Sequence, residues 1–168
     1  MTGQPPSAAE RTDGAAVLAR IESLLASVPY RRIDHPPVAT SQDAARLRGT
    51  PLSIGGKSLV MKVDGRFALF VISAARRSQG RMIRKHLKAS RLRFATPAEL
   101  LALTGLTPGC IPPLGRPVFD LPLYVDQSIV DNEQIAFSAG RHTVSMVMAT
   151  ADYLAVASPE AVLDFGRD

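Results

Sequence analysis

The sequence predicts a mixed α/β fold, a single domain whose helices pack on a curved, mixed and largely antiparallel sheet. Three observations predict it. Two runs rich in β-branched and apolar residues, Lys57–Val63 and Phe67–Ile72, flank Asp64-Gly65, a pair that supplies the positive φ a tight hairpin turn needs. Helix-like and strand-like segments alternate along the chain, and the hairpins demand antiparallel pairing. The length of 168 residues and 46% apolar content suit one domain around one core, with no internal repeat. Aromatic residues make up only 5% and Trp is absent, so that core must be built from Leu, Val, Ile, Ala and Met.

Residues 1–14 hold Pro, Ser, Thr and Gly without periodicity and read as a flexible tail, leaving 15–168 as the domain. Val17, Leu18, Ile21, Leu24 and Leu25 recur at helical spacing and predict an amphipathic helix over 15–26, ended by Pro29. A short strand follows at Arg31–Asp34, and His35-Pro36-Pro37 forces an extended segment. Thr40 or Ser41 caps a helix through Leu47, with Ala44, Ala45 and Leu47 turned inward. In the hairpin's first strand the period of two places Lys57, Leu59, Met61 and Val63 on one face and Ser58, Val60 and Lys62 on the other. The second strand is apolar on both parities, as a strand covered on both faces should be.

Gln79–Lys88 reads as a helix with Met82, Ile83 and Leu87 on one stripe, and Arg91–Ala95 as a brief strand. Thr96-Pro97-Ala98-Glu99 is a capping box with Pro at the first helical position, predicting a helix over Pro97–Thr104. Gly105–Pro117 carries too many Gly and Pro residues for either regular structure. Leu121–Val125, Ile135–Ser138 and Thr143–Met148 then read as strands, with a short helix or turn near Asp126–Asp131. Thr150 caps a helix over Ala151–Ala157, and Ser158-Pro159-Glu160 opens a last short one.

The net charge is +5, and its distribution is uneven. No acidic residue lies between Arg66 and Glu99, whereas Arg76, Arg77, Arg81, Arg84, Lys85, Lys88, Arg91 and Arg93 do. Such a field suits a polyanion such as RNA, because each neutralised phosphate releases counterions. A solvated helix face accounts equally for the charge alone. No apolar run approaches the roughly 18 residues of a membrane span and no signal-peptide layout opens the chain, so a cytoplasmic protein is expected, with no membrane partner. One Cys and three scattered His give neither an internal disulfide nor a metal cluster, and no cofactor fingerprint is present.

Nucleophilic templates are absent too: there is no G-x-S-x-G, P-loop or H-E-x-x-H. Cys110 has no evident base beside it in sequence, and buried structural Cys is common. Two features stand out instead. Lys57 enters the sheet on the side of its most apolar positions, where a lysine lines a pocket or rim rather than open solvent. Gly109-Cys110-Ile111-Pro112-Pro113-Leu114-Gly115 can hold main-chain N–H and C=O groups in fixed directions, because proline removes freedom and glycine permits close approach. His142, after a turn at the start of an apolar strand, can line a pocket or serve structurally; Met61, Ile111 and Met146 are further candidate wall residues.

The order of Asp34-His35-Pro36-Pro37, Lys57-Ser58-Leu59, Phe94-Ala95-Thr96-Pro97-Ala98-Glu99-Leu100 and Gly109-x-x-x-Pro113-Leu114-Gly115 resembles the YbaK/ProX family over about Tyr30 to Tyr153. These are aminoacyl-tRNA deacylases that edit in trans, similar to the editing domain of bacterial prolyl-tRNA synthetase. The resemblance implies a fold of that type, aminoacyl-tRNA as substrate, an aminoacyl-tRNA synthetase as a further partner, and hydrolysis without a protein nucleophile, metal or cofactor. It implies that Lys57 contacts the aminoacyl-tRNA end and that Gly109 and Pro113 fix a loop holding the aminoacyl group or water. His142 and Gly115 join Met61 and Ile111 as substrate-binding candidates, and Arg81, Arg84, Lys85 and Lys88 as tRNA-binding ones. Lys62, on the other strand face, is expected to be dispensable. Two departures are a longer N-terminal extension and a richer basic run. A non-catalytic tRNA-binding module with the same fold is the alternative, and a hydrolase of small free aminoacyl compounds a third reading.

Overall fold

The computed structural model describes residues 8–168, with side chains from Gly14 onward. Helix α1 (Ala8–Leu24) leads into strand β1 (Tyr30–Asp34) and helix α2 (Ser41–Arg48). The expected hairpin follows as β2 (Gly56–Val63) and β3 (Arg66–Ser73), then β4 (Arg77–Ser78), α3 (Gly80–Leu87), β5 (Leu92–Phe94) and α4 (Pro97–Thr104). After the breaker-rich loop come β6 (Leu123–Asp126), α5 (Gln127–Val130), β7 (Gln134–Arg141), β8 (Val144–Ala149), α6 (Thr150–Ala157), β9 (Ala161–Leu163) and β10 (Gly166–Arg167).

The curved sheet is divided in two. One sheet has the order β5-β2-β3-β6-β9, the other β1-β8-β7, and a parallel bridge between Gly55 and Ala136 joins them; β4 and β10 form a small separate ribbon. The β2–β3 hairpin turns at Asp64 and Gly65, both with positive φ. Central β3 is buried on both faces, which is why its sequence is apolar at both parities. On one face Val60, Leu69 and Val71 join the main core with α1, the second sheet and the breaker-rich loop. On the other, Met61, Phe70 and Ile72 form a second core closed by Ile83 of α3 and by Phe165.

Several boundaries depart from expectation. Helix α1 starts at Ala8, so residues 8–14 of the supposed tail are its first turns; Ala8, Ala9 and Glu10 favour helix even before the apolar periodicity begins. Residues 1–7 of that reading lie outside the described residues. In α2 it is Arg48, not Leu47, that turns inward, Leu47 being 37% exposed. Thr150 does not cap α6; Ala149 occupies that position, and the Thr150 hydroxyl is buried without a hydrogen bond. The last short helix expected after Ser158 is strand β9 instead. Ser158 ends α6 in the left-handed region, Glu160 N–H donates to Leu123 O, and Ala161–Leu163 then pair in parallel with β6. The capping box at Thr96 forms as predicted, with Glu99 N–H donating to Thr96 Oγ1 and Thr96 N–H to Glu99 Oε1. Among the described residues no helix is long and apolar enough to cross a membrane.

Candidate active site

A cleft of about 370 Å³ opens where α2, the first half of β2, the β5–α4 junction and the breaker-rich loop meet. Thr40, Ala44 and Arg48 recur every four residues, so one face of α2 makes a wall. Gly55–Val60 make the opposite wall, Gly109, Ile111 and Ser138 the floor, and Phe94 and Ala95 the mouth. Among the described residues no Asp, Glu, His or Cys lines it, while Lys57 and Arg48 do.

The wall at β2 is an open sheet edge. Strand β5 pairs with β2 only over Met61–Val63, and the ladder ends where Ala95 N–H donates to Val60 O at 2.9 Å. Hydrogen-bonding direction alternates along a strand, so the N–H and C=O of Ser58 point the same way as those of Val60, past the end of β5 and into the cleft. The Ser58 hydroxyl is itself buried without a hydrogen bond. This edge offers unused donors and acceptors, and unpaired buried polar groups favour any ligand that satisfies them.

Lys57, the second residue of β2, is half-buried, with Nζ donating to Arg76 O at 3.0 Å. Burial, and then the neighbouring Arg77 charge, hold its ammonium below the ordinary lysine range. Arg48 is the group that sequence reasoning missed. Its side chain is buried, Nε donates to Ser145 Oγ at 2.8 Å and Nη2 to Ser138 Oγ at 3.4 Å, and its salt-bridge partners among the described residues are none. Desolvation pushes its guanidinium down to about 10. Ser145 Oγ also lies 2.7 Å from His35 Nε2, while His35 Nδ1 lies 2.9 Å from Pro36 O. The assignment that satisfies all three groups has Nδ1–H donating to Pro36 O and the serine hydroxyl donating to Nε2 while accepting from Arg48. The Ala44-to-Arg48 spacing of four was the sequence signal for this residue.

The floor is rigid. Tyr153 donates its hydroxyl to Pro113 O at 2.6 Å, Gly140 N–H donates to Cys110 O at 3.0 Å, and Thr107 Oγ1 meets His142 Nε2 at 3.1 Å. Gly109 has φ +93, and a Cβ there would sit 3.1 Å from His142 Cε1. His142 therefore backs the loop from behind rather than facing the cleft. The structure thus brings Lys57, Gly109 and Ile111 together and separates the other candidates. Pro113 and Gly115 are buried beneath the floor, where a Cβ on Gly115 would come within 2.8 Å of Leu123 Cβ. Met61 belongs to the second core and Met146 to the main one, so neither is a wall residue. Cys110 is buried beneath the floor with its thiol donating to Thr107 O. Lys62, on the main-core face, lies 5.3 Å from the centre of the Phe67 ring. Arg81, Arg84, Lys85 and Lys88 belong to α3 and its C-cap, which cover the Met61 face, and none of them pairs with a carboxylate among the described residues.

Residues 35–156 match the family of aminoacyl-tRNA editing domains. The multifunctional Ser/Thr-tRNA deacylase ProXp-y of Escherichia coli K12 is 33% identical over 161 residues, covering 91% of this chain and 95% of that protein. A proline–tRNA ligase of Shouchella clausii is 30% identical over 148 residues, but these are 26% of its length, a domain within a larger enzyme. A crystal structure assigned as a trans-editing enzyme for prolyl-tRNA synthetase superposes with a TM-score of 0.78 at 23% identity, over 90% of this chain and 98% of that one.

Proposed function

The chain belongs to the aminoacyl-tRNA editing domain family, and on that footing we propose that it hydrolyses the ester joining a wrongly attached amino acid to its tRNA. One observation carries the reading beyond family membership. The cleft presents two cations, Lys57 and the buried Arg48, and an open strand edge, and among the described residues no carboxylate, imidazole or thiol lines it. An aminoacyl ester is already activated, so positioning it and a water, and stabilising the charge that develops, are enough to speed hydrolysis.

In this mechanism Lys57 anchors the tRNA end and the free N–H and C=O of Ser58 orient the aminoacyl group. Gly109, backed by His142 and Thr107, sets the depth of the floor. Water adds to the ester carbonyl, negative charge develops on its oxygen beside Arg48, and the carbon–oxygen bond to the ribose breaks. The water's protons end on the ribose oxygen and on the solvent, giving free amino acid and intact tRNA. The small walls Ala39, Thr40 and Ala44, with the Ser58 hydroxyl, suit a small or hydroxylated amino acid. That agrees with a relative named for Ser- and Thr-tRNA.

The test is a panel of seryl-, threonyl-, alanyl- and cysteinyl-tRNA. Deacylation of at least one above the spontaneous rate, lost in Lys57→Ala, is expected. A silent panel combined with salt-dependent tRNA binding that survives Lys57→Ala would instead establish a non-catalytic tRNA-binding module. Hydrolysis of free aminoacyl esters as fast as of tRNA would point to a small-molecule hydrolase.

A further inference from the structure

Phe94 is 59% exposed, the most exposed large hydrophobic side chain among the described residues and the only aromatic one in that set. It stands at the last residue of β5 and at the mouth of the cleft. Its register partner is Met61, and Leu92, two residues back, is opposite Val63. Directly opposed residues of an antiparallel pair share a face, so Phe94 lies on the face that carries Lys57, Leu59 and Met61 and is covered further along by α3. A phenylalanine ring left more than half exposed at the mouth of a cleft calls for an occupant.

We propose that Phe94 is the stacking platform for the terminal adenine of the tRNA acceptor end, a subsite that rests on the aminoacyl-tRNA reading. The placement carries the idea. Lys57 and position 61 are four residues apart, about 13 Å along the strand at a rise of about 3.3 Å, a span that one nucleotide and its esterified amino acid can bridge. With the base on Phe94, the ribose ester reaches Lys57 and the open edge at Ser58, and the preceding phosphates run toward Arg81, Arg84, Lys85 and Lys88 on the same face. Those side chains pair with no carboxylate among the described residues. A second copy of this chain is disfavoured as occupant, because it would bring like charge, +5 on each copy, against the same face. Base–aromatic stacking is worth about 1–3 kcal/mol per base.

The chain contains no Trp, so Phe94→Trp places a single fluorescent reporter at the site while keeping a stacking surface. The probe is an uncharged RNA hairpin ending in single-stranded CCA, compared with the same hairpin carrying an abasic terminal nucleotide. The expected results are quenching by the CCA hairpin and little by the abasic one. In addition, Phe94→Ala should raise the Kd of the CCA hairpin about 5- to 150-fold without altering that of the abasic hairpin. Equal quenching and equal Kd for the two hairpins, or equal weakening of both in Phe94→Ala, overturns the proposal. Base-dependent quenching without deacylation leaves the subsite standing and removes the deacylase reading. Deacylation that is indifferent to the terminal base does the reverse.

Discussion

Arg48→Met separates a functional charge from a structural strut. Burial lowers the guanidinium to about 10. Because the unfolded chain holds that proton more tightly, the charge opposes folding at every pH below about 10, and the opposition fades only above it. Each factor of ten in that equilibrium is about 1.4 kcal/mol, so keeping Arg48 charged costs on the order of 3 kcal/mol at neutral pH. The bond to Ser145 at 2.8 Å returns about 1.5–3 kcal/mol, and the 3.4 Å contact with Ser138 adds less. Met fills similar volume without a charge, so the two effects nearly cancel and Tm should stay within about 4 °C of wild type. Deacylation should nevertheless fall about 100- to 1,000-fold in kcat/KM, the range seen when one charge-stabilising donor is removed. Thermal unfolding and single-turnover deacylation of seryl-tRNA, read on the same preparation, decide it. A Tm lower by more than about 8 °C with kcat/KM retained would show that Arg48 holds α2 to β8 and does nothing for the ester.

The remaining predictions use the same two readouts. Lys57 must be charged to anchor the tRNA end, and its folded-state pKa lies below the lysine norm, so the enzyme-catalysed rate should fall on the alkaline side earlier than a solvent-exposed lysine would allow. Lys57→Arg should move that fall to higher pH, and an unchanged profile would remove the charge from the mechanism. Gly109→Ala places a side chain at φ +93 against His142; deacylation should drop at least tenfold while the fold persists by circular dichroism. Tyr153→Phe leaves the buried Pro113 carbonyl without its 2.6 Å donor, which should cost about 1–3 kcal/mol, visible as a lower urea midpoint. Thr96→Ala removes the cap of α4 and should cost about 1 kcal/mol with deacylation unaltered, because Thr96 is not part of the cleft.

What could be read from the sequence were the features that local chemistry dictates. Asp64-Gly65 has to turn, a strand apolar at both parities has to be central, and Thr96-Pro97-Ala98-Glu99 has to open a helix, and all three appear in the fold. Strand parity likewise singled out Lys57 before its surroundings were known. Features set by tertiary pairing were not legible. Nothing local distinguishes the segment after Pro159 as a strand rather than a helix; the free edge of β6 decides it. Met61 was a plausible wall residue because it shares the Lys57 face of β2, but the packing of α3 assigns it to a second core, and Val60 of the other face lines the cleft. Arg48 escaped because an arginine at the end of a helix ordinarily reaches solvent. Only Ser145 and Ser138, 97 and 90 residues on in β8 and β7, make an inward position possible.

That long-range dependence also explains the shape of the breaker-rich loop. Its glycines and prolines suggested a main-chain binding site along its whole length, yet only its first part reaches the cleft. From Cys110 to Gly115 the loop is buried, and its carbonyls at Cys110 and Pro113 are occupied by Gly140 and Tyr153. The prolines fix the floor from beneath, and Gly109 is where that fixed floor surfaces. The proposed mechanism acts through placement, so under it an ångström of slack in the floor is lost rate rather than lost affinity. In that proposal, rigidity below and an unsatisfied strand edge above are two halves of one device, with the two cations acting on the ester held between them.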